Sequence, residues 1–562
     1  MTMRQLSGHD AGFLYTDTVH ANANVSLLHI HDQSTAAGGV VRFKSILAQI
    51  ERRLSSSPLF RQRLQRVPLG LDHPYWVDDA FFDLEYHVRH IALPKPGDWR
   101  QFCIQVSRIH ARPLDLDRPL WEIYVIEGLD SFLDLPVGSF ALLFKTHLAA
   151  VELRQLGALS ALLYDDSATP PPLTPPEAWF ADSPPSRMRL LRRGLVSTLS
   201  SPLRLARPLV RAVGSMAPAA AALASELLLH PQELPATRFS SVVSPHRVFE
   251  TRRFTAAEFE AICALVPGAT VDDAVAAVCG GALRRYLDAQ GELPTDHSLA
   301  AIVTGAAPRP PAAGKTGASL AWRHVPLGTE IADPLQRLHS LHRQAQASAE
   351  GVSRRPGSRL INELGDQAAT AVLAWRRAWA SRAGARLAAR MPPANCSLVH
   401  LPAPQRPIYL CGARLSYFSA ILPISDGLGL AFAVTRYDDR VVISPTSCRE
   451  LMPDPEAFAQ CLRDSFQDYL ELAQRRPRSS RKAMAASADA DAGATAAKSV
   501  KPVQPVQSVQ PVQPQAAVKA VSPGRAGSPR RPHATPAAAP AARPAKPRAS
   551  SAGRPRRPAQ PA

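Results

Sequence analysis

The chain changes its hydrophobic period abruptly at one place, and that change limits the folds open to it. Phe140-Ala141-Leu142-Leu143-Phe144 is a short, unbroken apolar run preceded by Pro136 and Gly138, and it reads as a buried strand. Leu153, Leu156, Leu159, Leu162 and Leu163 then recur at helical spacing. A lone histidine, His147, stands where strand gives way to helix. An imidazole at such a junction can move a proton at the mouth of a pocket, although hydrogen bonding at a strand end is the commoner fate.

The same alternation runs on either side. Phe43, Ile46, Leu47, Ile50 and Leu54 have helical spacing, residues 75–77 and 85–91 read as strands, 99–109 as a helix and 123–126 as a strand. Thr270 with Asp273 makes a capping-box-like start to a helix whose stripe includes Val271, Ala274, Val275, Val278 and Leu283. Strands alternating with helices predict an α/β architecture.

Charge is confined to one end. The net charge of +18 would point to nucleic acid or membrane, but residues 475–562 hold 17 Lys/Arg against 2 Asp/Glu, leaving 48 against 45 in residues 1–474. That tail is Ala-, Pro- and Arg-rich, with a Pro-Val-Gln repeat around 502–514, and it is expected to be disordered. It could attract anionic lipid or nucleic acid, or remain a solvated extension; with no Phe, Tyr or Trp after Tyr469, base stacking is excluded. Seven cysteines, at 103, 263, 279, 396, 411, 448 and 461, form no C-x-x-C pair, so no zinc or redox site is expected and buried thiols in a reducing cytosol fit best. The opening residues lack an apolar signal-peptide core, and no run reaches about 18 apolar residues, so membrane contact would be peripheral.

Proline density at 168–185 marks a linker. Residues 187–211 then carry seven arginines and no acid, interleaved with Leu190, Leu191, Leu195, Val196 and Leu199. This basic amphipathic segment suits an anionic membrane surface or an ordinary helix packed on the body, and Pro202 and Pro208 interrupt it. Residues 371–390, with Trp375 and Trp379 among arginines, present the same pair of readings.

Several blocks occur in a familiar order: Leu6-Ser7-Gly8-His9-Asp10-Ala11-Gly12-Phe13-Leu14, Pro58–Leu64, Phe82–Arg89, Pro113-Leu114-Asp115, and Arg118-Pro119-Leu120-Trp121-Glu122. With Asp426-Gly427-Leu428-Gly429-Leu430 and Cys448–Asp454 further on, the chain resembles the bacterial wax ester synthase/diacylglycerol acyltransferase family to about residue 470. The resemblance implies a two-lobed, chloramphenicol acetyltransferase-like fold of CoA-dependent acyltransferases with an inter-lobe tunnel. It also implies acyl transfer from acyl-CoA, as co-substrate and with no bound cofactor or metal, to diacylglycerol or a fatty alcohol. The domains it predicts are 1–167, a linker and basic segment at 168–245, 246–474, and the tail from 475. The expected location is cytoplasmic, on the inner membrane face or on lipid inclusions.

The family motif H-H-x-x-x-D-G falls at the end of the strand described first, and its second histidine is the general base. Here His147 is the first histidine, Leu148 occupies the base position, Glu152 the aspartate and Leu153 the glycine. Leucine cannot accept a proton, and general-base catalysis is worth about 10² to 10⁴ in rate. His147 is a poor substitute, because neighbouring side chains on a strand face opposite ways. By resemblance Pro119, Leu120, Trp121, Asp272, Asp273, Asn395, Asp426 and Gly427 line or support the tunnel. The family's T-V-N-D reads Thr270-Val271-Asp272-Asp273, and two acids in a first helical turn also satisfy the helix dipole. Other polar motifs are eroded at 23–26, 303–306, 317–318 and after Asn395. Two readings follow: a weakened acyltransferase using another base, or a non-catalytic relative that binds acyl-CoA or neutral lipid or partners an active paralogue. A nucleic-acid role through the tail has the least behind it.

Overall fold

In the computed structural model of the chain, the described residues are 4–129, 135, 136, 138–169, 179–200, 234–305, 321–350, 381, 383–386 and 394–475. The tail beyond 475, most of 371–390 and much of 168–178 therefore lie outside them.

The first half contributes β1 (Asn24–Asp32), a hairpin of β2 (Gln62–Gln65) and β3 (Tyr75–Asp78), then β4 (Val88–Ala92), β5 (Trp121–Glu127) and β6 (Phe140–His147). The second contributes β7 (Arg247–Phe249), β8 (Arg252–Thr255), β9 (Ala300–Gly305), β10 (Ala321–Pro326), β11 (Cys396–Leu401), β12 (Tyr409–Leu410), β13 (Ala413–Ile421), β14 (Ala431–Tyr437) and β15 (Arg440–Cys448). Two main sheets result, ordered β12-β13-β1-β6-β5-β4 and β10-β9-β11-β14-β15-β7, with β8 also on β15. Among the described residues, parallel pairing is limited to β4–β5 and to β9–β11–β14, and the remaining ladders are antiparallel. The pairs β12–β13 leave the second half of the chain to complete the first sheet, with Ser26 opposite Ile421 and Leu28 opposite Ser419. Both sheets belong to one compact unit, Met1–Ala483.

Period-two alternation sorts the first sheet into two faces. Val25, Leu27, Trp121, Ile123, Val125, Phe140, Leu142 and Phe144 enter the main core. Leu28, Ile30, Tyr124, Ile126, Ala141 and Leu143 enter a second core covered by the helix Trp99–Ala111 through Phe102, Val106 and Ile109. That helix starts where the Asp98 side chain accepts the Gln101 N–H at 2.7 Å. Strand β6 is buried along its whole length, as its apolar run predicts.

Residues 85–91 differ from the strand expected there. Asp83 accepts the Glu85 N–H and opens a one-turn helix, Leu84–His87, and extended backbone begins only at Val88. A local cap outcompeted strand propensity over those residues. The helix Phe43–Arg53 matches the spacing read from sequence.

The helix Leu153–Ala161 follows β6 and buries Leu153 and Leu156 in the main core. Its Gly157 lies against the strand end of the second sheet, where a Cβ would sit 2.3 Å from the Pro402 carbonyl oxygen. Only glycine permits that approach. The helix Val271–Ala289 is buried along most of its length and is clasped by Pro455–Arg475, where Ser465 Oγ donates to the Val278 carbonyl at 2.9 Å. Of the cysteines, 103, 279, 396 and 448 are buried, 263, 411 and 461 are partly so, and all are free thiols. Among the described residues, no helix is long and apolar enough to cross a membrane.

Candidate active site

Strand β6 ends at His147, opposite Asn24 of β1. The backbone is held from both sides there: the His147 N–H donates to the Leu120 carbonyl at 3.2 Å, and the Leu148 N–H to the Ala23 carbonyl at 3.0 Å. The His147 ring is buried. Its Nδ1 accepts the Ala149 N–H at 3.0 Å, which assigns the proton to Nε2, and Nε2 lies 2.9 Å from Asp17 Oδ2. Asp17 Oδ1 in turn accepts the Ala23 N–H at 2.8 Å. Both ring nitrogens are therefore engaged, Nε2 holding the loop 17–23 against the strand end and Nδ1 the turn that follows it.

Leu148 follows in a turn and is 8% exposed, within the main apolar core that also takes Val151 and Leu153. Glu152 precedes the helix Leu153–Ala161 as its cap residue, yet its side chain makes no capping bond; its carbonyl takes the N–H groups of Gln155 and Leu156. The strand end thus offers one histidine with no lone pair to spare and one leucine with none at all.

Pro119, Leu120 and Trp121 pack beside this strand end and are buried. The Leu120 carbonyl also accepts Thr146 Oγ1 at 2.8 Å. Trp121 donates Nε1–H to the Phe60 carbonyl at 3.0 Å and stacks on His87 with ring centroids 4.6 Å apart. His87 Nδ1 lies 2.7 Å from the Trp121 carbonyl, and burial lowers its pKa. Between Trp121, Leu120, Thr146 and Ala150 lies a void of only about 10 Å³, room for at most one water.

The second-half candidates separate into two groups. Asp273 closes a capping box with Thr270, accepting its N–H at 2.9 Å, and also meets His342 Nδ1 at 3.0 Å. Asp272 is exposed, pairs with Arg436 and lies 3.6 Å from His400 Nδ1. Asn395 is a buried clasp: Oδ1 accepts the Ala300 N–H at 2.9 Å and Nδ2 donates to the Pro235 carbonyl at 2.8 Å. Those three side chains hold the second sheet and its helices to one another. Asp426 instead reaches back to the first half, with Oδ2 3.2 Å from His20 Nε2 and Oδ1 accepting the Val243 N–H at 2.9 Å. Gly427 adopts φ 79°, a left-handed turn that favours glycine, and donates to the Ser241 carbonyl at 3.0 Å. Arg247 donates to the His20 carbonyl at 2.6 Å.

The loop 17–23 is consequently the junction of the site, tied to β6 through Asp17–His147 and to the second half through His20–Asp426 and Arg247. Asp17, His20 and Arg247 were not singled out by sequence, because no spacing rule links residues 17, 147 and 426. Among the described residues, no group of three His, Cys, Asp or Glu side chains is placed to hold a metal.

Residues 6–275 match the family described as wax ester synthase/diacylglycerol acyltransferase catalytic domain, and 316–469 match its C-terminal domain. A Mycobacterium tuberculosis protein with the provisional name diacylglycerol O-acyltransferase is 32% identical over 449 residues, 78% of this chain and 91% of that protein. The chain belongs to the wax ester synthase/diacylglycerol acyltransferase family. The solved wax ester synthase/diacylglycerol acyltransferase of Marinobacter aquaeolei VT8 is similar in fold, with a TM-score of 0.60 at 23% identity over 84% of this chain and all of that one. The trichothecene 15-O-acetyltransferase of Fusarium sporotrichioides gives 0.52 at 11% identity, over 84% and 94%. The two-sheet body is therefore the two-lobed fold of CoA-dependent acyltransferases. At the end of β6, His147 is buried and the neighbouring Leu148 lies in the apolar core.

Proposed function

We propose that this chain keeps the acyl-CoA and neutral-lipid handling of its family while its own acyl transfer is weakened or lost. One observation carries the reading: Leu148 stands at the base position inside an apolar core, beside a His147 whose two nitrogens are both engaged. A general base must present a lone pair within hydrogen-bond reach of the acceptor hydroxyl, and neither side chain does so. The substrates are acyl-CoA with diacylglycerol or a fatty alcohol; binding them without turnover, or supporting an active paralogue, is the non-catalytic form of the same role.

The deciding assay supplies radiolabelled acyl-CoA with diacylglycerol or hexadecanol to the unaltered protein, to Leu148→His and to His147→Ala. The expected result is trace product from the unaltered chain and a gain of about 10²-fold or more in Leu148→His. Robust turnover by the unaltered chain, abolished by His147→Ala, would overturn the reading.

Residence on an anionic lipid surface, at the inner membrane face or on lipid inclusions, is favoured by a separate observation. The helix over 187–200 buries Leu190 against Val67 and Tyr75, while Met188 is 73%, Leu195 45%, Val196 59% and Leu199 77% exposed. Arg187, Arg189 and Arg192 flank these apolar side chains and no acid offsets them. Apolar side chains that would insert and cations that would meet headgroups share one free face, which suits a peripheral helix.

A further inference from the structure

A second cleft lies on the face of the first sheet covered by the helix Trp99–Ala111, reached from β6 by Lys145, two residues before His147. It has a volume of about 370 Å³, within the range of small-ligand pockets, and Tyr86, Arg89, Arg112, Asp115, Glu122 and Tyr124 form most of its wall. These residues come from three separate stretches of chain, and nothing in the acyl-transfer reading uses them.

The charges around it do not balance. Asp115 is paired with Arg118 at 3.4 Å, and the Arg118 guanidinium lies over the Tyr86 ring at 3.9 Å, so that pair is self-contained. Glu122 is then shared by several donors. Tyr124 Oη donates to it at 2.8 Å, Arg89 approaches at 3.5 Å, and the fully buried Lys145 amine lies 3.9 Å away. Lys145 also donates to the carbonyls of Ile109, at 3.0 Å, and Arg112. The Arg112 side chain has no hydrogen bond or ion pair among the described residues. Arg89 and Lys145 therefore share a single carboxylate, and with Arg112 in the same wall the cleft and its floor carry an excess of two positive charges.

We propose that this cleft binds a doubly charged phosphate-type group, a phosphate monoester or a diphosphate, between the guanidinium groups of Arg89 and Arg112. Guanidinium forks match the geometry of phosphate oxygens and bind them through paired N–H bonds. Arg89 also lies over the rings of Tyr86 and Tyr124, 5.0 and 5.6 Å from their centroids, which holds its guanidinium in the cleft wall. Lys145 reports the same field independently. Burial holds its amine down at about 8, Glu122 opposes this, and Arg112 and Arg89 add to it. A dianion between those arginines would raise that pKa, so binding near pH 8 should draw a proton from solution.

The chemistry is common to a nucleotide phosphate, a glycerol-phosphate headgroup and free diphosphate. The test is calorimetric titration of the full chain with adenosine 3′,5′-bisphosphate, glycerol 3-phosphate and inorganic pyrophosphate in separate runs, each in two buffers of different ionisation enthalpy. The expected result is saturable binding of at least one probe, weakened about tenfold or more in Arg112→Gln and in Arg89→Gln. Exposed Arg463→Gln on the far helix should leave binding unchanged, and the buffer pair should show proton uptake near pH 8. Preference among the three probes then names the source. Arg112 is exposed and has no side-chain partner among the described residues, so its loss does not threaten folding. No saturable heat with any probe, or binding indifferent to both arginine changes, would overturn the proposal.

Discussion

Two histidines in the main core make the stability of this protein sensitive to acid, and His31 is the better place to test it. The His31 ring is sandwiched between Phe140 and Tyr164, with centroids 5.0 and 5.5 Å away and planes 16° from each. It is fully buried; the Phe140 backbone offers one hydrogen bond, which partly opposes burial, and no side chain offers another. Its neighbour His29 bonds Tyr164 through Nδ1 but leaves Nε2 without one. Burial lowers both pKa values, to about 3 for His29 and well below 6.5 for His31, where His29 adds to the effect. In the unfolded chain both return to about 6.5. Between the folded and unfolded values the unfolded state holds the extra protons, so stability is intact above 6.5 and falls as the pH drops. For His29 alone the loss at about pH 5 is about 2 kcal/mol. Replacing His31 by Phe keeps the stacked shape and removes a desolvated, unpaired nitrogen, a gain of about 1 kcal/mol or more at neutral pH. The advantage of the variant should widen at about pH 5, because it has one imidazole fewer to charge. Urea unfolding at both pH values, followed by tryptophan fluorescence, measures this directly. A variant less stable than the parent, or a gap that does not grow in acid, would refute the argument by showing that the His31 nitrogens are satisfied in the folded protein.

Gly157→Ala should cost about 1–3 kcal/mol, read as a lower midpoint of thermal unfolding, because the new methyl would meet the Pro402 carbonyl at 2.3 Å. Asp17→Asn should destabilise by a similar amount, about 1–3 kcal/mol, and speed hydrogen exchange at the Ala23 and Ala149 amides, since it loosens the His147 anchor. Exchange unchanged at both amides would show that the loop is held by something else. Leu195→Ser combined with Leu199→Ser should lower co-flotation with anionic vesicles while leaving thermal stability within about 0.5 kcal/mol, because both side chains are exposed. Equal flotation of the variant would remove this helix as the lipid contact.

The sequence alone determined the local elements and one chemical fact. The apolar run of β6, the leucine spacing after it and the capped helix from Val271 each carry their period within a dozen or so residues, and a period needs no distant partner to be read. Leu148 is likewise legible in isolation, because no environment gives a leucine side chain a lone pair. Where a short side chain could bond its own backbone, as Asp83 does, even the local reading slipped from strand to helix. The tertiary structure decided what joins what. It brought β13 across to β1, set Asp17 against His147 and His20 against Asp426, made Asn395 a clasp, and gathered Arg89 and Lys145 around one carboxylate. These pairings span from 23 to more than 400 residues of chain, and such long closures cost only slowly growing entropy. Complementary charge and buried area select the partners, and neither leaves a spacing in the sequence.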